Sequence, residues 1–275
     1  MRIGFIGLGS QGAPMARKIA ESGFELTLWA RRSSSLEQFD DLAVSVVPSP
    51  AAVGERSDVV GICVVDDADV EDVVLGPDGV LGGLAAGGVV VIHSTVHPRT
   101  CQRIAKAAAT FGVGVLDAPV SGGGRAATRR QLLVMVGGEP ALLDRCLPVL
   151  ETFGDPVIHL GPVGAGQTAK LVNNALFAAN LSMANEALAL GTALGIGEQK
   201  LADVLRQGSA NSTALPVATT MRSRLGEHGG GPADVAGLLT KDLDLVAELA
   251  VGARTDAGAL RAAADAWLSI AHLDA

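Results

Sequence analysis

Arg2-Ile3-Gly4-Phe5-Ile6-Gly7-Leu8-Gly9-Ser10-Gln11-Gly12 carries three glycines at G-x-G-x-x-G spacing between an apolar run, Ile3–Ile6, and a helical pattern, Gly12–Ser22. Gly7 permits a tight turn and Gly9 lets backbone approach a pyrophosphate. Gly12 lets the helix pack close to a sheet, and the helix N-terminus offers unpaired N–H groups to phosphate. Glycine-rich turns are common; the strand before this one and the helix after it give it meaning. The stretch predicts a dinucleotide turn in which Gly7, Leu8, Gly9, Ser10, Gln11 and Gly12 touch the cofactor.

Working outward, apolar runs recur at Leu26–Trp29, Val59–Val65, Val89–His93, Val113–Leu116, Leu132–Val136 and Val157–Leu160. Helical patterns such as Pro98–Phe111 and Glu139–Phe153 lie between most of them. Strands alternating with helices predict parallel strands joined by crossovers, a doubly wound α/β sheet. Several runs are apolar throughout, as strands covered on both faces are. After Gly161-Pro162-Val163-Gly164 the texture changes to a long helical pattern from Gln167 to Leu194 and further helix-forming stretches without convincing strands. The expectation is a Rossmann domain over residues 1–163 and an all-α domain over 164–275, built on a long interdomain helix, with a glycine-rich loop at Gly226–Pro232.

The end of the second strand bears on the nucleotide. An NAD site places Asp or Glu there for the ribose hydroxyls, whereas this chain has Arg31-Arg32-Ser33-Ser34. Guanidinium groups pair bidentately with a 2′-phosphate. A solvated Arg pair is the plainer alternative; the residues favour NADP(H) over NAD(H). Asp66, Asp67 and Asp69 have no His or Cys beside them, so they read as helix-capping acids and no metal site is expected. In Ser94-Thr95-Val96-His97-Pro98, Thr95 can face a ligand while a neighbour caps a helix. His93 and His97 read as structural.

Composition narrows the function classes. A formal charge of −8 argues against nucleic acid or anionic membrane as the main partner. Cys63, Cys101 and Cys146 lack paired spacing and read as reduced thiols. No run reaches membrane-spanning length and Arg2 leads straight into a strand pattern, so a cytoplasmic protein is expected.

Two further stretches carry chemistry. Asp117-Ala118-Pro119-Val120-Ser121-Gly122-Gly123-Gly124 offers a hydroxyl and accessible N–H groups that could cradle a carboxylate, or a plain glycine-rich turn. In the long helical pattern, Lys170, Asn174 and Phe177 fall at i, i+4 and i+7 and share one face. Desolvation there would lower a lysine's pKa toward acid–base use; the alternative is a lysine that snorkels to water.

Together, Gly7-Leu8-Gly9, Asp117–Gly123, Gly164–Asn174 and Lys241-Asp242 resemble four motif blocks of the β-hydroxyacid dehydrogenases, in the family's order and across nearly the whole chain. The resemblance implies hydride transfer between NADP(H) and a small hydroxy acid or its semialdehyde, at a site between the two domains. It implies Lys170 as the catalytic acid–base with Asn174 in support, and Ser121, Gly122 and Gly123 on the substrate carboxylate. Lys241 would approach cofactor or substrate, and Val64, Val65, Asp69 and Thr95 would lie along the nicotinamide half. A homodimer or homotetramer is expected.

The chain departs from the family pattern in places. Gln11 replaces a Met or Ile, Val65 a common proline, Arg130-Gln131-Leu132 a Gly-Thr-Leu, and Asp234 an apolar residue. These changes lie more on the substrate side, which keeps an imine reductase of the same architecture as an alternative. Lys170 counts against it, because those enzymes usually carry another residue there. Retention of Lys170 and Asn174 likewise counts against a non-catalytic NADP-binding sensor.

Overall fold

The computed structural model describes residues 1–225 and 232–273, with side chains outside 221–238 and 268–273. The loop expected from Gly226 up to Pro232 and the side chain of Asp234 lie outside the described residues. The chain divides into two compact units, Met1–Lys170 and Leu171–Ala275.

In the first unit, strands β1 (Arg2–Ile6), β2 (Glu25–Trp29), β3 (Val44–Val46), β4 (Val59–Ile62), β5 (Val89–Ile92) and β6 (Gly114–Asp117) lie parallel in the order β3-β2-β1-β4-β5-β6. Alternate residues feed two cores. Ile3, Phe5, Val59, Val89 and Val91 join one, while Ile6, Val60, Ile62, Val90 and Ile92 join the other. That two-sided burial is why these runs are apolar without alternation. Helices α1 (Gly12–Glu21), α2 (Pro50–Glu55), α3 (Asp67–Leu75) and α4 (Pro98–Ala109) make the crossovers. On α1, Gly12, Met15, Ala16 and Ile19 form the buried face, at helical spacing.

The sheet then departs from the all-parallel expectation. Strand β7 (Val120–Ser121) continues the line of β6 past Ala118-Pro119, and β8 (Leu132–Gly137) runs antiparallel to both. The physical reason is length: between Ser121 and Leu132 only the short helix α5 (Gly123–Thr128) intervenes, and a parallel crossover needs a dozen or more residues. Helix α6 (Pro140–Leu150) then returns the chain so that β9 (Gly154–Gly161) pairs parallel with β8. The strand read at Val59–Val65 stops at Ile62, because Cys63 still bonds Ile6 but the Val64 N–H turns to the Ser94 hydroxyl at 2.8 Å. Strand β3 was not legible, being three residues long and partly exposed at the sheet edge.

The long helix α7 (Ala165–Ala193) has 29 residues. The division of the chain into two units falls inside it, after Lys170. Its first turn is fastened to the sheet: the Asp117 carboxylate, fully buried, accepts N–H bonds from Gly164 at 2.6 Å and Gln167 at 2.8 Å. The second unit continues through α8 (Glu198–Gln207), α9 (Ala214–Leu225), α10 (Pro232–Gly252) and α11 (Gly258–Leu273). Its core gathers Leu171, Ala175, Ala178, Leu181, Leu243 and Trp267 with their neighbours. Among the described residues, no helix is long and apolar enough to cross a membrane.

Candidate active site

The turn after β1 shows what each glycine does. Gly7 has φ +95°, and a Cβ there would lie 2.1 Å from the Cys63 carbonyl oxygen. A Cβ on Gly12 would lie 1.8 Å from the Gly7 carbonyl oxygen. Protein backbone demands both residues. Gly9 is different, since a Cβ there would meet nothing within 4 Å and its φ lies outside the positive range. The protein leaves space beside Gly9 that no internal contact explains, and a pyrophosphate approaching the N-terminus of α1 fits it. Leu8 is buried beneath this turn, while Ser10 is exposed.

The ends of β2, β4 and β5 surround the turn. Arg31 and Arg32 follow β2 and are exposed. The Arg31 guanidinium reaches across to Asp69 on α3, at 2.6 Å. That contact brings Asp69 to the β2 side of the turn, and the two form an exposed ion pair. Asp66 caps α3 by accepting the Asp69 N–H at 2.9 Å. Asp67 accepts the His97 N–H at 2.9 Å and the Thr100 hydroxyl at 2.6 Å, which ties the start of α3 to the start of α4. After β4, Val64 is half-buried and Val65 is 70% exposed.

Thr95 sits between two residues held by one side chain, that of Gln167. Gln167, fully buried on the first turn of α7, accepts the Val96 N–H through Oε1 at 3.1 Å. Its Nε2 donates to the Ser94 carbonyl at 2.8 Å. Asp117 and Gln167 therefore fix the turn around Thr95, the end of β6 and the start of α7 as one hydrogen-bonded set. Burial pushes the Asp117 carboxyl above its usual range, and the Gly164 and Gln167 N–H groups pull it back. The available signals were an acid ending an apolar strand and an amide at the head of an apolar helix. Lys170 follows Gln167 by three residues, half-buried on the same helix.

The turn after β7 has its own pattern. Gly122 and Gly123 have φ +131° and +75°, so both occupy backbone conformations that favour glycine. Ser121 is half-buried. A Cβ on Gly124 would lie 2.8 Å from the Ser10 carbonyl oxygen, so this turn packs directly on the turn after β1. Like Gly9, Gly123 faces open space; a Cβ there would meet only Gln11 Nε2, at 3.9 Å.

His93 lies in the core. It stacks on Phe5 at 5.9 Å, meets Phe153 edge-on, and its Nδ1–H donates to the Ala118 carbonyl at 2.8 Å. Burial lowers its pKa from 6.5 to about 4, so it is neutral at pH 7. The His97 ring caps α4 by accepting the Arg99 N–H at 2.9 Å. The three cysteines are free thiols, and burial pushes Cys146 up to about 11. Among the described residues, no group of His, Cys, Asp or Glu could hold a metal ion.

The remaining expected residues belong to the second unit. Asn174 Nδ2 donates to Asp242 Oδ2 at 2.6 Å, and its Oδ1 accepts from Asn173 at 3.1 Å. Lys241 Nζ lies 3.4 Å from the other oxygen of the buried Asp242 carboxylate. Asp242 thus links Asn174 and Lys241, a coupling that spacing alone did not suggest because the two are far apart in sequence.

Known proteins match both halves of the chain. Residues 2–161 match the NAD binding domain of 6-phosphogluconate dehydrogenase. Residues 164–274 match the NAD-binding domain of NADP-dependent 3-hydroxyisobutyrate dehydrogenase. The NAD-dependent L-serine dehydrogenase of Pseudomonas aeruginosa is 35% identical over 254 residues, 90% of this chain and 85% of that one. The solved structure of Mycobacterium tuberculosis 3-hydroxyisobutyrate dehydrogenase with L-serine superposes with a TM-score of 0.83 at 28% identity, covering 99% of this chain and 94% of that one. A Streptomyces aurantiacus imine reductase shares the fold, with a TM-score of 0.70 at 21% identity, 100% of this chain and 96% of that one being covered. With both halves matched by its domain models and a relative aligned over most of both chains, the protein belongs to the β-hydroxyacid dehydrogenase family.

Proposed function

We propose that this protein interconverts a small hydroxy acid and its semialdehyde or keto form, using NADP(H) in preference to NAD(H). The observation that carries the reading is the pair of packed glycine turns, with open space beside Gly9 in one and beside Gly123 in the other. The first fits a pyrophosphate and the second a carboxylate. When bound, the nicotinamide supplies or accepts the hydride.

The chain's own residues do the rest. The Ser121 hydroxyl and the N–H groups of Gly122 and Gly123 hold the substrate carboxylate and fix its orientation. In reduction, Lys170 gives a proton to the developing alkoxide oxygen; in oxidation, neutral Lys170 removes the hydroxyl proton. Asn174 supports that lysine from the next turn of α7, and Asp242 holds Asn174 in place. Lys241 lends positive charge to the Asn174–Asp242 pair from α10. Asp117 and Gln167 are positioning residues, because they lock the first turn of α7 to the turn carrying Thr95.

The cofactor preference rests on Arg31 and Arg32, which pair with a 2′-phosphate. Asp69 competes for Arg31, so Arg32 carries the larger share. Self-association is part of the same proposal. Val172, Leu176, Met183, Leu190 and Leu194 are all at least half exposed. At 100° per residue they form one stripe, on the side of α7 opposite Lys170 and Asn174. It exposes on the order of 500 Å² of apolar surface, above what scattered residues explain. Pairing it with a second copy would bury roughly the 1,000 Å² that a specific interface requires.

One preparation of the unmodified protein tests these statements. NADPH oxidation with small aldehyde acids and keto acids, set beside cyclic imines, gives the substrate class. Titration of NADPH and NADH gives the preference, and sedimentation gives the assembly. Turnover of cyclic imines alone overturns the hydroxy-acid reading. Equal affinity for both nucleotides overturns the NADP(H) preference, and a monomer at micromolar concentration overturns the pairing of the stripe.

A further inference from the structure

Arg31 and Arg32 open the irregular segment, residues 30–43, that joins β2 to β3. The Asp69 carboxylate draws Arg31 toward α3 at 2.6 Å. Arg32 is exposed, and the backbone of the segment sets its place, its carbonyl accepting the Ser35 N–H at 3.0 Å. Such connections move unless something ties them down. Phe39 is buried and Leu36 and Leu42 pack on the same core, but apolar packing is non-directional and does not orient the backbone before it.

The orienting contacts come from Arg17 on α1. Its two terminal nitrogens donate to the two Asp41 carboxylate oxygens, each at 2.8 Å. The same guanidinium donates to the Gln38 carbonyl and lies over the Phe39 ring, 5.9 Å from its centroid. Gln38 then donates through Nε2 to the Ser35 carbonyl at 2.7 Å and reaches the Leu8 carbonyl of the glycine turn at 3.4 Å. A lone surface ion pair is worth little, but a forked pair with further bonds on the same guanidinium is the exception. Arg17, Asp41 and Gln38 form one set that fixes the backbone from Ser35 to Asp41 against the dinucleotide turn. A cation held in place before its ligand arrives spares the ligand the cost of ordering it.

We infer that Arg17 is a positioning residue for nucleotide selection: through Asp41 and Gln38 it holds the segment that presents Arg32 to the 2′-phosphate. The inference rests on the NADP(H) reading above and adds a residue that acts from the far end of that segment.

The test is a cycle of four proteins, the unmodified chain, Arg17→Met, Arg32→Ala and the double variant, each titrated with NADPH and with NADH. Arg17→Met should weaken NADPH roughly three- to tenfold, the range that ordering one long side chain accounts for, and NADH by less than about twofold. In the Arg32→Ala background the same change should cost NADPH nothing further, because the two residues act in series. Arg17→Lys keeps the charge without the fork and should recover only part of the loss. Asp41→Asn alters an exposed carboxylate and leaves the core intact, so it answers the question even where Arg17→Met does not fold; it too should weaken NADPH selectively. A lower urea midpoint with both affinities unchanged or equally reduced would make Arg17 merely structural and overturn the inference. Losses that add in the double variant would overturn it as well, and both results leave the NADP(H) preference standing. If Arg32→Ala itself leaves NADPH affinity unchanged, that preference was assigned to the wrong residue and the inference falls with it.

Discussion

The two units hold their polar groups in different ways. In the first, chemistry hangs from backbone: the glycine turns, the N–H groups at the heads of helices, and the buried Asp117 and Gln167 that fasten α7 to the sheet. In the second, polar side chains hold one another, with Asp242 between Asn174 and Lys241. A backbone-built site leaves a readable trace, because glycine is required wherever a Cβ would collide or φ is positive. A side-chain network leaves no such trace, because Asn, Asp and Lys are equally at home on a helix surface. Lys170 is the last residue of the first unit, so it sits at the change from one regime to the other.

That position frames the largest expected effect. If the proton-transferring group is carried by the backbone-anchored unit, Lys170→Ala should lower kcat by about 10²–10⁴-fold and leave nucleotide affinity nearly intact. Lys170→Arg should recover little, since a guanidinium does not release its proton near neutral pH. Single-turnover kinetics and nucleotide titration check both statements. Near-normal kcat in a folded Lys170→Ala protein would falsify the catalytic role.

The next effect separates two glycines three residues apart. Gly12→Ala forces a methyl group to within 1.8 Å of the Gly7 carbonyl oxygen, a backbone collision that no rotamer relieves. The loss should reach about 4 kcal/mol, the range reserved for severe steric faults. Gly9→Ala meets nothing, so its stability should change by less than about 1 kcal/mol while nucleotide affinity falls. Urea midpoints and nucleotide titrations on both variants decide this. If Gly9→Ala keeps full affinity, the space beside Gly9 is not a phosphate site.

The same distinction explains what could be read from the sequence. The parallel half of the sheet was legible because both faces are buried, so each strand is a continuous apolar run. The β6–β7–β8 reversal was not, since Ala118-Pro119 interrupts one line of strand and the pairing direction depends on connection length. Gly7, Gly9 and Gly12 were legible as a set, but their separate reasons needed neighbouring atoms. Gln167 stood inside a recognised stretch without a role, because its two partners, Ser94 and Val96, lie about seventy residues earlier. Asp69 contacts Arg31 at the end of β2, a partner that its place in the sequence does not suggest. Sequence spacing carries no information about such a cross-strand reach.

The smallest expected effect tests whether the first unit's core carries the protein's sensitivity to acid. His93 is 4% exposed between Phe5 and Phe153, and burial holds its pKa at about 4 against 6.5 for a free histidine. Between those two values the unfolded chain binds a proton that the folded chain refuses, so stability falls as pH drops from about 6.5 to about 4. Above 6.5 the group contributes no pH dependence. At about 1.4 kcal/mol per pH unit of displacement, the loss is on the order of 3 kcal/mol. His93→Phe keeps an aromatic ring between its neighbours and removes the titrating group, so its stability should vary less over that window, although it forfeits the bond to Ala118. The two tryptophans permit a local readout, with Trp29 ending β2 and Trp267 in the core of the second unit. In proteins keeping one tryptophan each, urea midpoints followed through Trp29 should move with pH in the unmodified core and much less in His93→Phe. Identical pH slopes in the two cores would remove His93 as the cause. A slope carried equally by Trp267 would show that acid sensitivity is shared by both units rather than seated in the first.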